Sequence, residues 1–110
     1  MAHPDALGQF ELMVLLAVMR LGDEAYGMTI RRELAEHTGR EVAAGAIYTA
    51  LARLENRGYV RSRLGEPTPE RGGRAKRFYR VLAAGAKAVE RAEAAFLGLG
   101  RELGRTPGRS

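Results

Sequence analysis

The stretch of sequence that decides the fold is AGAIYTALARLENRGYV, residues 44–60. Ile47, Leu51 and Leu54 recur at the i, i+4, i+7 spacing of one helix face, so the stretch predicts a helix over residues 44–57 with a narrow core-facing stripe. The opposite face is expected to carry small or polar residues, namely Gly45, Ala46, Thr49, Ala50 and Arg53. A face of this kind allows another surface to approach the helix closely.

Two further helices are predicted ahead of this one. Residues 7–21 are apolar on nearly every side, and in a chain of 110 residues such a helix usually packs against a second partner, often another subunit. Residues 25–38 form the second helix, with an expected buried stripe of Met28, Ile30, Leu34 and Ala35. A glycine follows each of the three helices where a helix stop is needed: Gly22, Gly39 and Gly58.

After Gly58 the hydrophobic period changes, and residues 59–64 and 77–82 predict two β-strands. The segment between them is rich in Gly, Pro and Arg, so the strands are expected to form a basic hairpin. The whole chain has 18 Lys and Arg against 13 Asp and Glu, a net charge of +5. Residues 57–80 alone hold eight Lys or Arg and two Glu, a net +6. An excess placed in one segment favours an anion-binding surface.

The last helix is predicted over residues 84–103, where apolar residues recur at spacings of three and four. This is the a/d seam of a coiled coil, and we expect it to form a dimer interface with the first helix of a second subunit, the alternative being a place in the core of the single chain. The expected interface residues are Phe10, Val14, Val89, Ala92, Phe96, Leu99 and Leu103. Residues 105–110 are expected to be a disordered tail.

Several classes of protein are excluded or disfavoured by the composition. The chain has no cysteine, which excludes disulfides, thiol nucleophiles and cysteine-ligated zinc. His3 and His37 lack partners at metal-ligand spacing, and Ser62 and Ser110 lack a placed base, so we predict no enzyme, no metal and no cofactor. The longest apolar run, residues 12–19, is far short of the roughly 20 residues that span a bilayer. We therefore expect no membrane association and a cytoplasmic location.

The predicted order of elements is that of a winged helix-turn-helix: a mainly α chain with a small β-hairpin. We expect a DNA-binding domain over 5–82, a C-terminal dimerisation helix over 83–104 and the tail. In this architecture the third helix enters the DNA major groove and the hairpin lies along phosphate or minor groove. The predicted DNA-binding residues are Gly45, Ala46, Tyr48, Thr49, Arg53, Arg71, Arg74, Lys76 and Arg77.

Alternatives remain open at this point. The residues alone support a partly packed Tyr48 as well as a Tyr48 on phosphate, and Arg53 is as compatible with helix-surface pairing as with DNA contact. The exposed face of 44–57 also suits a winged-helix protein-interaction module without specific DNA binding, although such a module does not need the basic hairpin. RNA binding through the hairpin is a third hypothesis, disfavoured because the sequence shows no platform for stacking single-stranded bases.

Four motifs resemble one family. They are YGMTI (26–30), GAIYTALARLE (45–55), GYV (58–60) and GRAKRFYRV (73–81), and over residues 7–90 the chain resembles the PadR-like transcriptional regulators. The resemblance implies a dimeric, repressor-like protein of bacteria with the last helix as its dimer arm. It also implies a DNA-backbone contact by Tyr48, a groove-facing surface around Gly45 and Thr49, and phosphate contacts from the wing. A cleft between the last helices of a dimer would be the place for a small-molecule effector.

The chain departs from the family pattern at two places. Ala43 and Ala44 stand where Ser or Thr is common near the start of the third helix, so a side-chain N-cap worth about 1 kcal/mol is predicted to be missing. Ala83 stands where Thr often follows the second wing strand. The short last helix also lacks tryptophan, so the aromatic drug pocket of some family members is not expected here.

Overall fold

The structure is a computed structural model that describes residues 7–66 and 75–103. These residues form the following elements in chain order: α1 (Gln9–Leu21), a 3₁₀ turn (Gly22–Glu24), α2 (Gly27–Thr38), α3 (Ala44–Asn56), β1 (Val60–Leu64), β2 (Arg77–Val81) and α4 (Ala83–Glu102). The predicted fold class, mainly α with a small hairpin and a C-terminal helix, is confirmed. Element bounds differ from the predicted ones by two residues at most. Residues 5–6, the loop 67–74 and the expected tail lie outside the described residues.

The core lies where α1, α2 and α3 meet. Leu15, Ile30 and Leu51 have no exposed surface, and the predicted stripe residues Ile47 and Leu54 lie beside them. Each fully buried side chain of this size contributes roughly 1.5–3 kcal/mol of transfer free energy. The three-helix arrangement therefore depends on the apolar spacing that the sequence displays.

The predicted helix-ending glycines are confirmed by their backbone conformation. Gly22, Gly39 and Gly58 have φ angles of 58°, 72° and 77°, a region that side chains with a Cβ rarely adopt. The predicted lack of a cap on α3 is also found, because Ala43 makes no side-chain hydrogen bond to the first turn.

The hairpin packs one of its two faces onto the helices. β1 and β2 are antiparallel, with Val60 opposite Val81 and Ser62 opposite Tyr79. Val60 and Tyr79 are buried in the core, whereas Phe78, which points to the other face, is only half-buried. Tyr79 donates its backbone N–H to the carbonyl of Ala25 at 2.9 Å, so the segment before α2 covers the free edge of β2.

The helix α4 is anchored at its start and exposed along its second half. Gly85 packs directly on the backbone of Tyr59, where a Cβ would lie 3.1 Å from the carbonyl carbon. Ala88 and Val89 then complete the core. Beyond them the apolar side chains are mostly in solvent: Phe96 is 77% exposed, Leu99 66% and Leu103 74%.

Three details of the sequence interpretation need correction. Met28 was expected in the buried stripe of α2 but is 62% exposed, because it lies two residues from the buried Ile30, about 200° around the helix, and so on the opposite face. Ala50 was expected on the outer face of α3 but is buried, because it lies on the Ile47 side of that helix. Val14 and Val89, expected in a dimer seam, lie in the core of the single chain and present almost no surface to a second subunit. In the described ranges no helix is both long and apolar enough to cross a membrane.

Candidate nucleic-acid interface

The outward face of α3 is lined by small side chains. A helix turns by about 100° per residue, so the side opposite the core stripe carries Gly45, Thr49, Ala52 and Asn56. All four residues are exposed. Only Thr49 and Asn56 bring hydrogen-bonding side chains, so the backbone of α3 is accessible to a close-fitting surface. Gly45 and Thr49 were predicted on this face; Ala52 and Asn56 were not, although the same angular spacing of about 100° per residue places them there.

Tyr48 lies on one flank of this face, against the start of α2. Its side chain is about half exposed, and its ring end rests on Gly27, where a Cβ would lie 2.6 Å from Cζ of the tyrosine. The start of α2 is shaped by Thr29, whose hydroxyl accepts a hydrogen bond from the N–H of Tyr26 at 3.0 Å. The phenol of Tyr48 is therefore held beside the N-terminus of α2, where helix N–H groups and the helix dipole favour an anion.

Arg53 and Ala46 lie on the other flank, towards α1. Nη1 of Arg53 is 3.8 Å from Oε2 of Glu11, and its side chain is mostly exposed. An ion pair at this distance on the surface is weak, typically below about 1 kcal/mol, and leaves the guanidinium accessible. Arg53 is therefore placed at the edge of the α3 face, with both of its proposed roles, pairing and DNA contact, geometrically open.

The predicted wing residue Arg77 belongs to a network between the hairpin and α3. Its Nη1 donates to the hydroxyl of Ser62 at 3.1 Å. The hydroxyl and the backbone N–H of Ser62 in turn donate to Oε2 of Glu55, at 2.9 Å and 3.1 Å. Because Glu55 is on α3, the network sets the position of the hairpin relative to that helix. The sequence contained no signal for it, since the three residues lie on different elements, 7 and 15 residues apart.

Lys76 is positioned by aromatic rings. Its Nζ lies 4.6 Å from the centroid of the Tyr26 ring, which meets the ring of Phe78 edge to face at 5.4 Å. Cation–π contacts at exposed sites are worth about 0.5–1 kcal/mol, enough to orient an ammonium group without hiding it from solvent. Lys76 is thus an oriented, exposed cation. Arg71 and Arg74, the other predicted wing contacts, lie outside the described residues.

The remaining predicted dimer residues are in two places. Phe10 lies at a groove of about 400 Å³ between the start of α1 and the end of α2, also lined by Met13, Leu34 and Val42. On α4, Ala92 is half-buried, while the seam residues Phe96, Leu99 and Leu103 and the neighbouring Leu97, which the seam omitted, are exposed.

Known proteins share both the sequence pattern and the fold. Residues 15–91 match the transcriptional regulator PadR-like family. A PadR-like transcription factor from Bacteroides fragilis superimposes with a TM-score of 0.75 at 23% identity, over 88% of each chain. A PadR family regulator from Clostridium difficile gives 0.69 at 20% identity, over 88% of this chain and 96% of the other. For one from Eggerthella lenta the values are 0.65 and 28%, over 84% and 78%.

No curated protein sequence matches the chain. The family pattern nevertheless covers well over half of it and includes α3, the hairpin and the first part of α4. The structural similarity extends along most of its length. The chain therefore belongs to the PadR-like family of transcriptional regulators and has its DNA-binding winged-helix fold.

Proposed function

We propose that this protein is a homodimeric repressor that binds a specific DNA sequence, with α3 in the major groove and the basic hairpin along phosphate or minor groove. The observation that carries the proposal is the outward face of α3, small and uncharged at its centre, with Tyr48 on one flank and Arg53 on the other. The major groove admits an α-helix, and small side chains on the facing side let the helix backbone approach the base edges closely.

Thr49 and Asn56 are the residues proposed to contact bases. Asparagine pairs with the N6 and N7 atoms of adenine, and threonine bonds a base edge or contacts a thymine methyl group. Gly45 and Ala52 bring the backbone close enough for these short side chains to reach. Discrimination by one good bidentate contact is worth about 1–3 kcal/mol.

Tyr48 and the hairpin are proposed to contact phosphates and so to set the register of α3 in the groove. The Tyr48 phenol and the N-terminus of α2 converge on one point, which suits a backbone phosphate. Lys76, Arg77 and the Arg71 and Arg74 predicted from the sequence would supply the salt-dependent part of the affinity.

The dimer is proposed to form through α4. Phe96, Leu99 and Leu103 leave large apolar side chains in water, and burying each of them would gain roughly 1.5–3 kcal/mol. The groove beside Phe10 and Met13 is an apolar surface of the kind that could receive them from a second copy. Two α3 helices related by a two-fold axis would then meet half-sites about one DNA turn apart.

Fluorescence anisotropy with the DNA upstream of the protein's own gene tests this function. A scrambled duplex of the same length and composition is the control, at physiological salt. We expect binding to the upstream DNA to be at least about a thousandfold tighter. Equal affinity for both duplexes would refute specific regulation and favour the protein-interaction module.

A further inference from the structure

The outer face of the hairpin, which points away from the core, is strongly basic. The register places Arg61 directly opposite Arg80 and Arg63 opposite Phe78. Directly opposite residues of an antiparallel pair project from the same face, with Cβ atoms about 4.5–5.5 Å apart. The outer face therefore collects Arg61, Arg63 and Arg80 around the ring of Phe78, all three arginines being exposed.

This arrangement is costly in the absence of an anion. Like charges directly opposite each other destabilise a strand pair, and none of the salt bridges found among the described residues involves Arg61 or Arg80. Arg20, His37 and Arg53, by contrast, form ion pairs with Glu33 or Glu11 within the α1, α2 and α3 helices. Asp23, in the turn after α1, also lines the cleft beside the outer face. Three guanidinium groups thus share a small area with an excess of positive charge.

Arg63 is held in position by the ring of Phe78. The guanidinium carbon of Arg63 lies 4.9 Å from the centroid of the Phe78 ring, in cation–π contact. The ring itself lies over Gly65, where a Cβ would come within 2.7 Å of its Cε1 atom. A cation that is already oriented loses less conformational entropy when it binds a ligand, which favours binding.

The outer face is also concave. A cleft of about 270 Å³ lies between the strands and the turn that follows α1, lined by Gly22, Asp23, Arg61, Arg63, Phe78 and Arg80. Pockets for drug-sized ligands start at about 300 Å³, so a cleft of this volume suits a molecule smaller than those ligands. Asp23 at the cleft can accept a hydrogen bond from a hydroxyl group, so the cleft suits a ligand that carries a hydroxyl beside its anionic group.

We propose that this cleft binds a small phosphate ester that carries a hydroxyl group. Arg61, Arg63 and Arg80 bind the phosphate, and the hydroxyl group donates a hydrogen bond to the carboxylate of Asp23. A phosphate monoester carries between one and two negative charges near pH 7 and three acceptor oxygens, which match the fork geometry of several guanidinium groups. The site goes beyond DNA binding and shares no residue with the proposed DNA contacts, which are on α3 and, in the hairpin, at Lys76, Arg77, Arg71 and Arg74.

Isothermal titration calorimetry on the full chain, without DNA, tests the proposal with three probes: glycerol 3-phosphate, inorganic phosphate and glycerol. We expect glycerol 3-phosphate to bind more tightly than inorganic phosphate, and glycerol not to bind. Arg61→Gln with Arg80→Gln should weaken glycerol 3-phosphate binding at least about tenfold, because charge-assisted hydrogen bonds are lost. Asp23→Asn should abolish the preference for the ester and retain phosphate binding.

A matched control separates a site from a general charge effect. Arg31→Gln with Arg32→Gln removes the same charge from two exposed positions on α2 and should leave the affinity unchanged. Without ligand, the Arg61/Arg80 variant should melt at the same or a higher temperature, since repulsion is relieved. The proposal is overturned if the wild type binds none of the phosphates, or if both double variants lose affinity equally.

Titration with a DNA duplex tests whether these arginines bind the DNA backbone instead of a small phosphate ester. A short non-specific duplex should bind the Arg61/Arg80 variant about as well as the wild type, and glycerol 3-phosphate should not be displaced by it. A variant that loses duplex affinity while keeping glycerol 3-phosphate affinity would assign these arginines to DNA and refute the small-ligand site.

Discussion

The contact between Gly27 and Tyr48 provides a sharp test of how α2 and α3 are joined. Replacing Gly27 with Ala adds a Cβ that would lie 2.6 Å from Cζ of the Tyr48 ring, so the two cannot coexist unless one moves. In the absence of the ring, Ala in place of Gly at the first residue of α2, where the backbone has no positive φ, is worth about 0.4–1 kcal/mol because the unfolded chain has less conformational freedom to lose. Overpacking opposes this gain by about 1–3 kcal/mol.

The exposure of Tyr48 decides between these effects. Because its side chain is about half exposed, it can rotate towards solvent and give way at modest cost. We therefore expect Gly27→Ala to change the free energy of unfolding by less than about 1 kcal/mol, as gain and loss nearly offset each other. In a Tyr48→Ala background the same substitution should stabilise the protein by about 0.4–1 kcal/mol.

Urea unfolding followed by circular dichroism measures the four free energies of this double-mutant cycle. Gly45→Ala is the matched control, since a Cβ there meets nothing within 4 Å and should stabilise α3 equally with or without Tyr48. In parallel, Gly27→Ala should weaken DNA binding because it displaces the Tyr48 phenol. If Gly27→Ala is equally destabilising in both backgrounds, the ring is not what excludes the Cβ and the argument is wrong.

Three further predictions follow from the structure. Glu55→Ala should lower the free energy of unfolding by about 1–2 kcal/mol, because the hydrogen bonds from Ser62 are lost. Glu55→Gln should lower it by less, because the amide oxygen still accepts a hydrogen bond. Urea unfolding measures both changes, and equal losses would contradict a role for the charge of Glu55. Burial raises the pKa of the Tyr79 phenol, so the folded state favours its neutral form. The corresponding stability is complete below about pH 10 and lost as pH rises through the folded pKa; Tyr79→Phe should flatten this alkaline decline in pH-dependent denaturation, and an unchanged decline would exclude Tyr79 as its source. Phe96→Asp with Leu99→Asp should shift sedimentation from dimer to monomer with unchanged helix content, whereas a wild-type monomer at micromolar concentration would contradict the proposed dimer.

Most of the fold was predictable because it depends on local spacing. The Ile47, Leu51 and Leu54 stripe, the three terminating glycines and the change of period after Gly58 each depend on a few consecutive residues. Their physical causes, burial of one helix face and access to positive φ, act wherever those residues stand. The predicted elements therefore agree with the structure to within two residues.

Partners across the chain were not predictable in the same way. Val89 fits an a/d seam as well as a core position, and only the anchoring of α4 at Gly85 turns it inward. The sequence predicts the same role, a wing cation, for Arg77 and Lys76. In the structure Arg77 donates a hydrogen bond to Ser62, whereas Lys76 lies over the ring of Tyr26. Charge counting identifies where basic residues are, but not what each of them already contacts.

The sequence by itself determined the helices and strands, their order and the location of the positive charge, because periodicity and glycine positions act over one or two turns of chain. Tertiary structure alone decided which residues meet. Strand register placed Arg61 opposite Arg80, and the packing of α2 on α3 brought Gly27 under Tyr48. These pairings join segments about 20 residues apart, so they follow from how the elements pack and align and not from any local pattern.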